Sequence, residues 1–149
     1  MILINNEERY MANIIFKNRI LACKGQQFEE FFISFMSIYN SNFKPVKAHG
    51  RFGDWKNDGF DKTTGTFYQV FAPEDLNREG TIRDGVKKLK EDFEGLYEKW
   101  NEICPIKKYY FVTNDRYDGV PAHIHEMAIE LRKKSCYSHV DIDILGARD

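Results

Sequence analysis

The segment 50–60 carries the densest set of side chains that could do chemistry. Its eleven positions hold three glycines, two basic residues and the carboxylates of Asp54 and Asp58. The segment 66–73 that follows is rich in aromatic and β-branched residues, which predicts a buried strand. Enzymes often hold carboxylates for metal or acid–base chemistry in short polar turns that lead into such strands. The alternative is a surface hairpin whose Asp and Asn side chains only shape turns.

The composition limits the class of protein. A chain of 149 residues fits one domain with a substantial core. Its formal net charge of −1 gives no overall attraction to nucleic acid, so any such binding must come from a local patch. No apolar run approaches the length of a membrane span, and the N-terminus lacks a signal-peptide pattern. Three widely spaced cysteines match no zinc spacing, so we expect free thiols in a reducing cytoplasm.

The elements that must position Asp58 follow from the spacing of apolar residues. The N-terminal half predicts two helices and three short strands, over residues 6–23, 26–40, 43–49, 60–62 and 66–72. The second helix has a broad apolar face, which indicates burial between other elements. Pro45 makes the first strand an edge strand or the start of one.

The C-terminal half alternates strands with helices. Thr81 is a suitable N-cap for a long amphipathic helix ending near Trp100, whose charges alternate in sign as on a solvated face. A strand, a helix and a last strand follow, over residues 107–113, 121–134 and 140–145. Alternating units predict parallel strands, whereas the tight connections of the three earlier strands require an antiparallel meander. The expected fold is therefore α/β, a mixed sheet flanked by helices.

The predicted αβββαβ order resembles the core of the PD-(D/E)XK phosphodiesterase superfamily, most closely Mrr-like restriction endonucleases. Residues 25–29 (Gly-Gln-Gln-Phe-Glu) are similar to their Gly-x-x-Phe-Glu helix start. Residues 54–59 (Asp-Trp-Lys-Asn-Asp-Gly) match their Asp-x-x-x-Asp-Gly turn, and 69–71 (Gln-Val-Phe) part of their Gln-x-Lys strand. The resemblance covers about residues 25–115. Two further segments, 68–73 and 111–115, are similar to nuclease-like domains of bacterial anti-phage defence systems.

The resemblance implies hydrolysis of DNA phosphodiester bonds with Mg²⁺ or Mn²⁺. Asp58 would be the central metal ligand, beside the backbone carbonyl of Val70, and Glu29 would reach the same ion or a second one. Gln69 would stand where many relatives have an acid. Mg²⁺ suits such a site because it prefers oxygen ligands and keeps several waters.

Phe71 departs from the family pattern. Residues two apart on a strand share a face, so Phe71 points with Gln69 but occupies the position of the expected lysine. The ammonium would then come from Lys56, Lys87 or Lys88, or the site would not cleave. The sequence leaves these alternatives open.

Several candidate side chains also have plain structural explanations. Glu29 can face water, and Gln69 can hydrogen-bond a neighbouring strand. His123 and His125 are two residues apart near a helix start and point to different faces, so they form a poor metal chelate.

Two functional hypotheses follow. The first is a Mg²⁺-dependent DNA endonuclease of a restriction or anti-phage defence system, with Asp58, Glu29, Gln69 and a relocated lysine such as Lys56 in its site. The second is a catalytically silent domain of the same fold that binds or assembles other domains or subunits of a defence complex. In either case we expect residues 1–149 to form one domain without a membrane partner. A monomer and a homodimer both stay open. The chain is expected to be either the N-terminal domain of a longer protein or a short natural protein.

Overall fold

A computed structural model describes residues 5–47, 56–73 and 78–149. In chain order the elements are α1 (Asn6–Ala22), α2 (Gln26–Tyr39), β1 (Lys44–Pro45), β2 (Gly59–Asp61), β3 (Thr66–Phe71), α3 (Glu79–Trp100), β4 (Lys108–Thr113), α4 (Ala122–Lys133) and β5 (Asp141–Leu145), with a short 3-10 helix (Ser135–Tyr137) before β5. The predicted mixed α/β class is confirmed.

The five strands form one sheet in the order β1-β2-β3-β4-β5. β2 runs antiparallel to both β1 and β3, as the short connections predict. β3, β4 and β5 run parallel, with α3 and α4 as the crossover helices between them. β3 is therefore the central strand, with an antiparallel neighbour on one side and a parallel neighbour on the other.

Helices cover both faces of this sheet. α3 and α4 pack on one face, where a core of fully buried side chains includes Phe67, Leu89 and Tyr109. α1 and α2 pack on the other face, where Phe32 and Tyr68 belong to a second core. Because side chains alternate along a strand, successive residues of β3 point to these two cores in turn. The odd-numbered positions of β3 face α3, and the even-numbered positions face α2.

Polar contacts fix the ends of two elements. Asn5 caps α1 in a capping box, accepting from the backbone N–H of Glu8 while its own N–H donates to the Glu8 carboxylate. At the other end of α1, the Asn114 amide after β4 donates to the carbonyls of Ile20 and Cys23, at 3.0 and 3.2 Å. These bonds hold the C-terminus of α1 against the end of β4.

Three predictions about these elements are corrected. α3 begins at Glu79 after Arg78, and not at a Thr81 cap; Arg78 makes no side-chain capping bond. β1 spans only Lys44–Pro45, and residues 48 and 49 of the predicted strand lie outside the described ranges. α2 buries only one side, because Ile38 is 88% and Tyr39 75% exposed.

The sheet ends at β5, whose residues alternate between exposed and buried positions. Ile142 and Ile144 face the α3 core, whereas Asp141 and Asp143 point outward. None of the four helices in the described ranges combines the length and the apolar composition needed to span a lipid bilayer.

Candidate functional site

Asp58 lies immediately before β2 and is 5% exposed. Its backbone is held on both sides, since its N–H donates to the Tyr68 carbonyl and its carbonyl accepts from the Val46 N–H. Its carboxylate oxygen Oδ2 accepts from the Val70 N–H at 2.6 Å. A charge-assisted bond of this length fixes the carboxylate against the middle of β3. Asn57 completes the turn as predicted, because its Oδ1 accepts from the Gly59 N–H at 3.0 Å.

Gln69 lies across from Asp58, since Gly59 pairs with Tyr68 in the adjacent position. Its side chain points to the α3 side of the sheet. There its amide nitrogen donates to Oδ2 of Asp92, a residue of α3, at 3.3 Å. The sheet and the long helix are thus joined through a buried side-chain hydrogen bond.

Asp92 is only 3% exposed and receives two ammonium groups. Nζ of Lys88, one turn earlier on α3, lies 2.8 Å from its Oδ2. Nζ of Lys56, which precedes Asp58 by two residues, lies 3.4 Å from its Oδ1. Burying a carboxylate is costly unless it is paired, and these two contacts supply that pairing.

Tyr109 on β4 points to the same side and is fully buried. The pKa of its hydroxyl is raised well above the usual value, chiefly because burial disfavours the phenolate and further because the Asp92 and Asp58 carboxylates lie near it. The hydroxyl therefore stays protonated. We call Asp58, Gln69, Asp92, Lys88, Lys56 and Tyr109 the polar cluster.

Several buried polar atoms of this region have no hydrogen-bond partner among the described residues: Gln69 Oε1, Asn57 Nδ2 and the Tyr109 hydroxyl. The Gln69 orientation is fixed, because the Asp92 carboxylate can only accept and so requires the amide nitrogen. Its oxygen is then left without a donor. A buried oxygen with no donor can accept a hydrogen bond from an ordered water, or it can act as a ligand of a hard cation.

A divalent cation fits this cluster only if water or substrate completes its coordination. Gln69 Oε1 and the Asp58 carboxylate, which accepts from the Val70 N–H, carry oxygen lone pairs of the kind that such a cation prefers, and both Asp92 oxygens contact ammonium groups. Across the described ranges, no group of three or more His, Cys, Asp or Glu side chains could hold a metal ion by itself. Mg²⁺ tolerates so few protein ligands because it keeps several waters.

Phe71 occupies the expected lysine position and lies on the α3 side of the sheet. Its ring stacks on Phe111 at a centroid distance of 5.6 Å and lies against Gly85 of α3. A lysine at position 71 would place its ammonium against the Phe111 ring. The two ammonium groups of the polar cluster belong instead to Lys88 on α3 and to Lys56 in the turn before β2.

The structure gathers three of the predicted site residues, Asp58, Gln69 and Lys56, and also Lys88 from the alternatives. Glu29 is not gathered with them. It lies on α2, which packs on the opposite face of the sheet from Gln69, and among the described residues its side chain forms no hydrogen bond or ion pair.

Among the remaining predicted candidates, Val70 borders the polar cluster, since its backbone N–H donates to Asp58. Its carbonyl was predicted as a metal ligand and stays a prediction. Lys87 faces outward and lies 3.9 Å from Glu91. Asp54 lies outside the described residues. His123 and His125 are exposed, and His123 Nδ1 lies 3.8 Å from Glu126 Oε2.

Sequence reasoning missed Asp92 and Tyr109. The position of Asp92 could have revealed it. Asp92 follows Leu89 by three residues and precedes Leu96 by four, which places it on the apolar face of α3. A charged residue at such a position must be paired. Tyr109 lies within an aromatic run and offered no comparable signal.

Comparison of the chain with protein-family models, with curated proteins and with solved structures finds no match. The functional assignment therefore depends on the chemistry of the polar cluster and on the motif resemblance alone.

Proposed function

We propose that this chain is a metal-dependent DNA endonuclease of a bacterial restriction or anti-phage defence system, acting in the cytoplasm on phosphodiester bonds. One observation supports this most: Asp58, just before β2, lies opposite Gln69 of β3, and Gln69 binds Asp92, which two lysine ammonium groups contact. The element order α2-β1-β2-β3-α3-β4 also agrees with the αβββαβ core that the resemblance implies.

The residues that would hold Mg²⁺ or Mn²⁺ are Asp58, through its carboxylate, and Gln69, through Oε1. When bound, the ion would polarise the phosphoryl oxygen and lower the pKa of a coordinated water. Asp58 suits this role because the Val70 N–H fixes its carboxylate, so little reorganisation is needed. Glu29 has no place in this version of the site, although the motif resemblance implied one.

The lysine that Phe71 replaces would be supplied by Lys88. Its ammonium lies 2.8 Å from Asp92, on the same side of the sheet as Gln69, and Asp92 holds it in place. An ammonium at this position can contact a phosphate oxygen and balance its negative charge. Lys56 also pairs with Asp92, but its side chain is 53% exposed, so in this proposal it lies at the rim of the cluster where the DNA backbone would approach.

A second candidate function is a catalytically silent domain that binds other parts of a defence complex. It is favoured by the pairing of Asp92, because an ammonium engaged with a buried carboxylate is less available to a phosphate. The packed ring of Phe71 agrees with the same hypothesis, since it leaves no cation on β3 itself.

Cleavage of supercoiled plasmid with Mg²⁺ or Mn²⁺ tests the proposal. We expect the wild-type chain to nick or linearise the plasmid only with metal. Asp58→Asn should reduce the rate by at least about 100-fold, because it removes the charged ligand. Lys88→Met should reduce it by roughly 10- to 100-fold, since it removes the charge-balancing ammonium.

Asp84→Asn is the matched control, because Asp84 is an exposed carboxylate on α3 outside the polar cluster. It should cleave as the wild type does. Thermal unfolding of every variant separates lost chemistry from lost folding. Intact plasmid at high protein concentration, together with no heat of Mg²⁺ or Mn²⁺ binding in calorimetry, contradicts the endonuclease and supports the silent domain.

A further inference from the structure

α1 is apolar on two opposite sides. Phe16 packs on Phe31 and Phe35 of α2, at ring distances of 5.7 and 5.6 Å, and Ile20 is 2% exposed, so this side is occupied. Successive helical residues turn by about 100°, so Ile14 points away from Phe16. The residues of this outer side are large and exposed: Tyr10 67%, Met11 54%, Ile14 37%, Ile15 62% and Leu21 44%.

The surface around this outer side lacks charge. No residue from 10 to 16 on α1 is charged, and none from 31 to 43 along α2 and its C-terminal turn. On α2, Phe35 contacts Phe16 and stacks on Tyr39, which is itself 75% exposed. Uncharged apolar surface of this extent on a helix pair is typical of a protein–protein interface.

We infer that the outer side of α1 is covered by the same helix of a second copy of this chain, in antiparallel orientation. The charges of α1 favour this occupant. Glu7 and Glu8 lie in the first turn and Arg9 follows them, so this end carries a net charge of −1, whereas Lys17 and Arg19 near the other end carry +2. The helix is therefore acidic at one end and basic at the other, with uncharged residues between.

The position of the apolar residues sets the crossing point. Tyr10, Met11, Ile14 and Ile15, the four outer residues that precede Phe16, are centred between residues 12 and 13, and Leu21 lies one turn beyond Lys17. An antiparallel copy that crosses there brings Glu8 of one chain level with Lys17 of the other, with Glu7 one residue away. A parallel copy would bring the two Glu7 carboxylates together. A two-fold antiparallel pair therefore buries the apolar residues and places opposite charges at both ends.

Sedimentation equilibrium of the purified chain tests this inference. We expect a species of twice the 17.6 kDa chain mass at micromolar concentration. Ile14→Glu should raise the dimer dissociation constant by at least about 100-fold, because it buries an unpaired charge at the centre of the interface. Since Ile14 is not in the core, circular dichroism and the melting of the α-helical signal should show a folded variant.

Ile129→Glu is the control, because Ile129 is 53% exposed on α4, on the other side of the sheet. It should leave the dissociation constant unchanged. A wild-type chain that stays monomeric up to about 100 μM overturns the inference, since specific dimers form well below that concentration. An equal effect of both substitutions also overturns it. The readout is mass, so the result is independent of DNA cleavage.

The orientation has its own test. Glu7→Lys should weaken the dimer by roughly fivefold, because it places a cation one residue away from the level of Lys17 of the other chain. Adding Lys17→Glu should restore the affinity. A double variant as weak as the single one contradicts the antiparallel arrangement.

Discussion

Asp92 shows how a charge can be kept in the interior of a small protein. Its carboxylate contacts Lys88 on α3, Lys56 in the turn before β2 and the Gln69 amide on β3. Three different elements thus hold it in place. The two lysines differ in exposure, with 35% of the Lys88 side chain exposed against 53% for Lys56. Lys88, which is closer to Asp92 and less hydrated, should therefore contribute more to the stability of the fold than Lys56.

We expect Lys88→Met to lower the free energy of unfolding by about 2 kcal/mol, because it leaves Asp92 buried with only one ammonium. Lys56→Met should cost less than about 1 kcal/mol, since that pair is longer and more hydrated. Urea denaturation of both variants measures the difference.

Lys87→Met is the control for this comparison. Lys87 makes only an exposed contact with Glu91 on the same helix, so its loss should cost at most about 0.5 kcal/mol. If Lys88→Met is no more destabilising than Lys87→Met, Asp92 does not depend on its neighbouring ammonium.

At the scale of the element, Gly85 determines how closely α3 approaches the sheet. A Cβ built at this glycine would lie 2.9 Å from Cε1 of Phe71 and 3.1 Å from Cδ1 of Ile124. Glycine weakens a helix, so its presence in the middle of α3 reflects this contact. The same contact explains why β3 carries an aromatic ring at position 71, since the flat ring fills the space beside the glycine.

Gly85→Ala should therefore destabilise the protein by about 1 kcal/mol, because the crowding outweighs the higher helix propensity of alanine. Gly95→Ala on the same helix should instead stabilise it by up to about 1 kcal/mol, since the nearest atom, Lys56 Cγ, lies at an ordinary 3.5 Å. Thermal or urea unfolding of the two variants gives the sign. A stabilising Gly85→Ala would show that Phe71 moves aside without cost.

The elements were largely predictable, and the site was predictable only in part. Periodicity and turn residues give β3, α3 and β4 within one or two residues, because a buried face imposes a regular pattern. The predicted start of α3 was wrong. No side chain caps the helix at Arg78, whereas the preference for threonine at N-cap positions favoured Thr81.

The site residues show the same division. Asp58 and Gln69 could be brought together from sequence because they face each other across one short hairpin. Glu29 could not be located in this way, because the face of the sheet that α2 covers depends on the path of the whole chain. The contact between Gln69 and Asp92 spans 23 positions, and no local rule predicts it.

At the scale of the whole molecule, two tyrosines couple folding to alkaline pH, one in each core. Tyr68 lies among Phe32, Phe43 and Tyr110 on the α2 side, and burial raises the pKa of its hydroxyl to about 12, with a smaller contribution from Tyr110. Tyr109 lies on the α3 side, and its pKa is also raised. Both hydroxyls therefore lose their protons less readily in the folded protein than in the unfolded chain.

We expect the free energy of unfolding to fall as the pH rises from about 10 to 12. In this window the unfolded chain has released the Tyr68 proton while the folded chain retains it, so higher pH favours unfolding. Tyr68→Phe should reduce this dependence, because it removes the buried hydroxyl. Denaturant unfolding at several pH values checks the slope. An unchanged slope in Tyr68→Phe would assign the pH dependence to other groups.

The outward carboxylates of β5 have a consequence for behaviour at high concentration. β5 is the last strand of the sheet, so its outer backbone groups could pair with a strand of another molecule and begin aggregation. Asp141 and Asp143 place two negative charges along that strand, and Lys108 and Arg132 balance only the first of them, at 3.6 and 3.7 Å. Two copies meeting edge to edge would bring their Asp143 carboxylates together. In β5, isoleucines that pack into the α3 core thus alternate with aspartates that disfavour pairing of this edge strand with the same strand of another molecule.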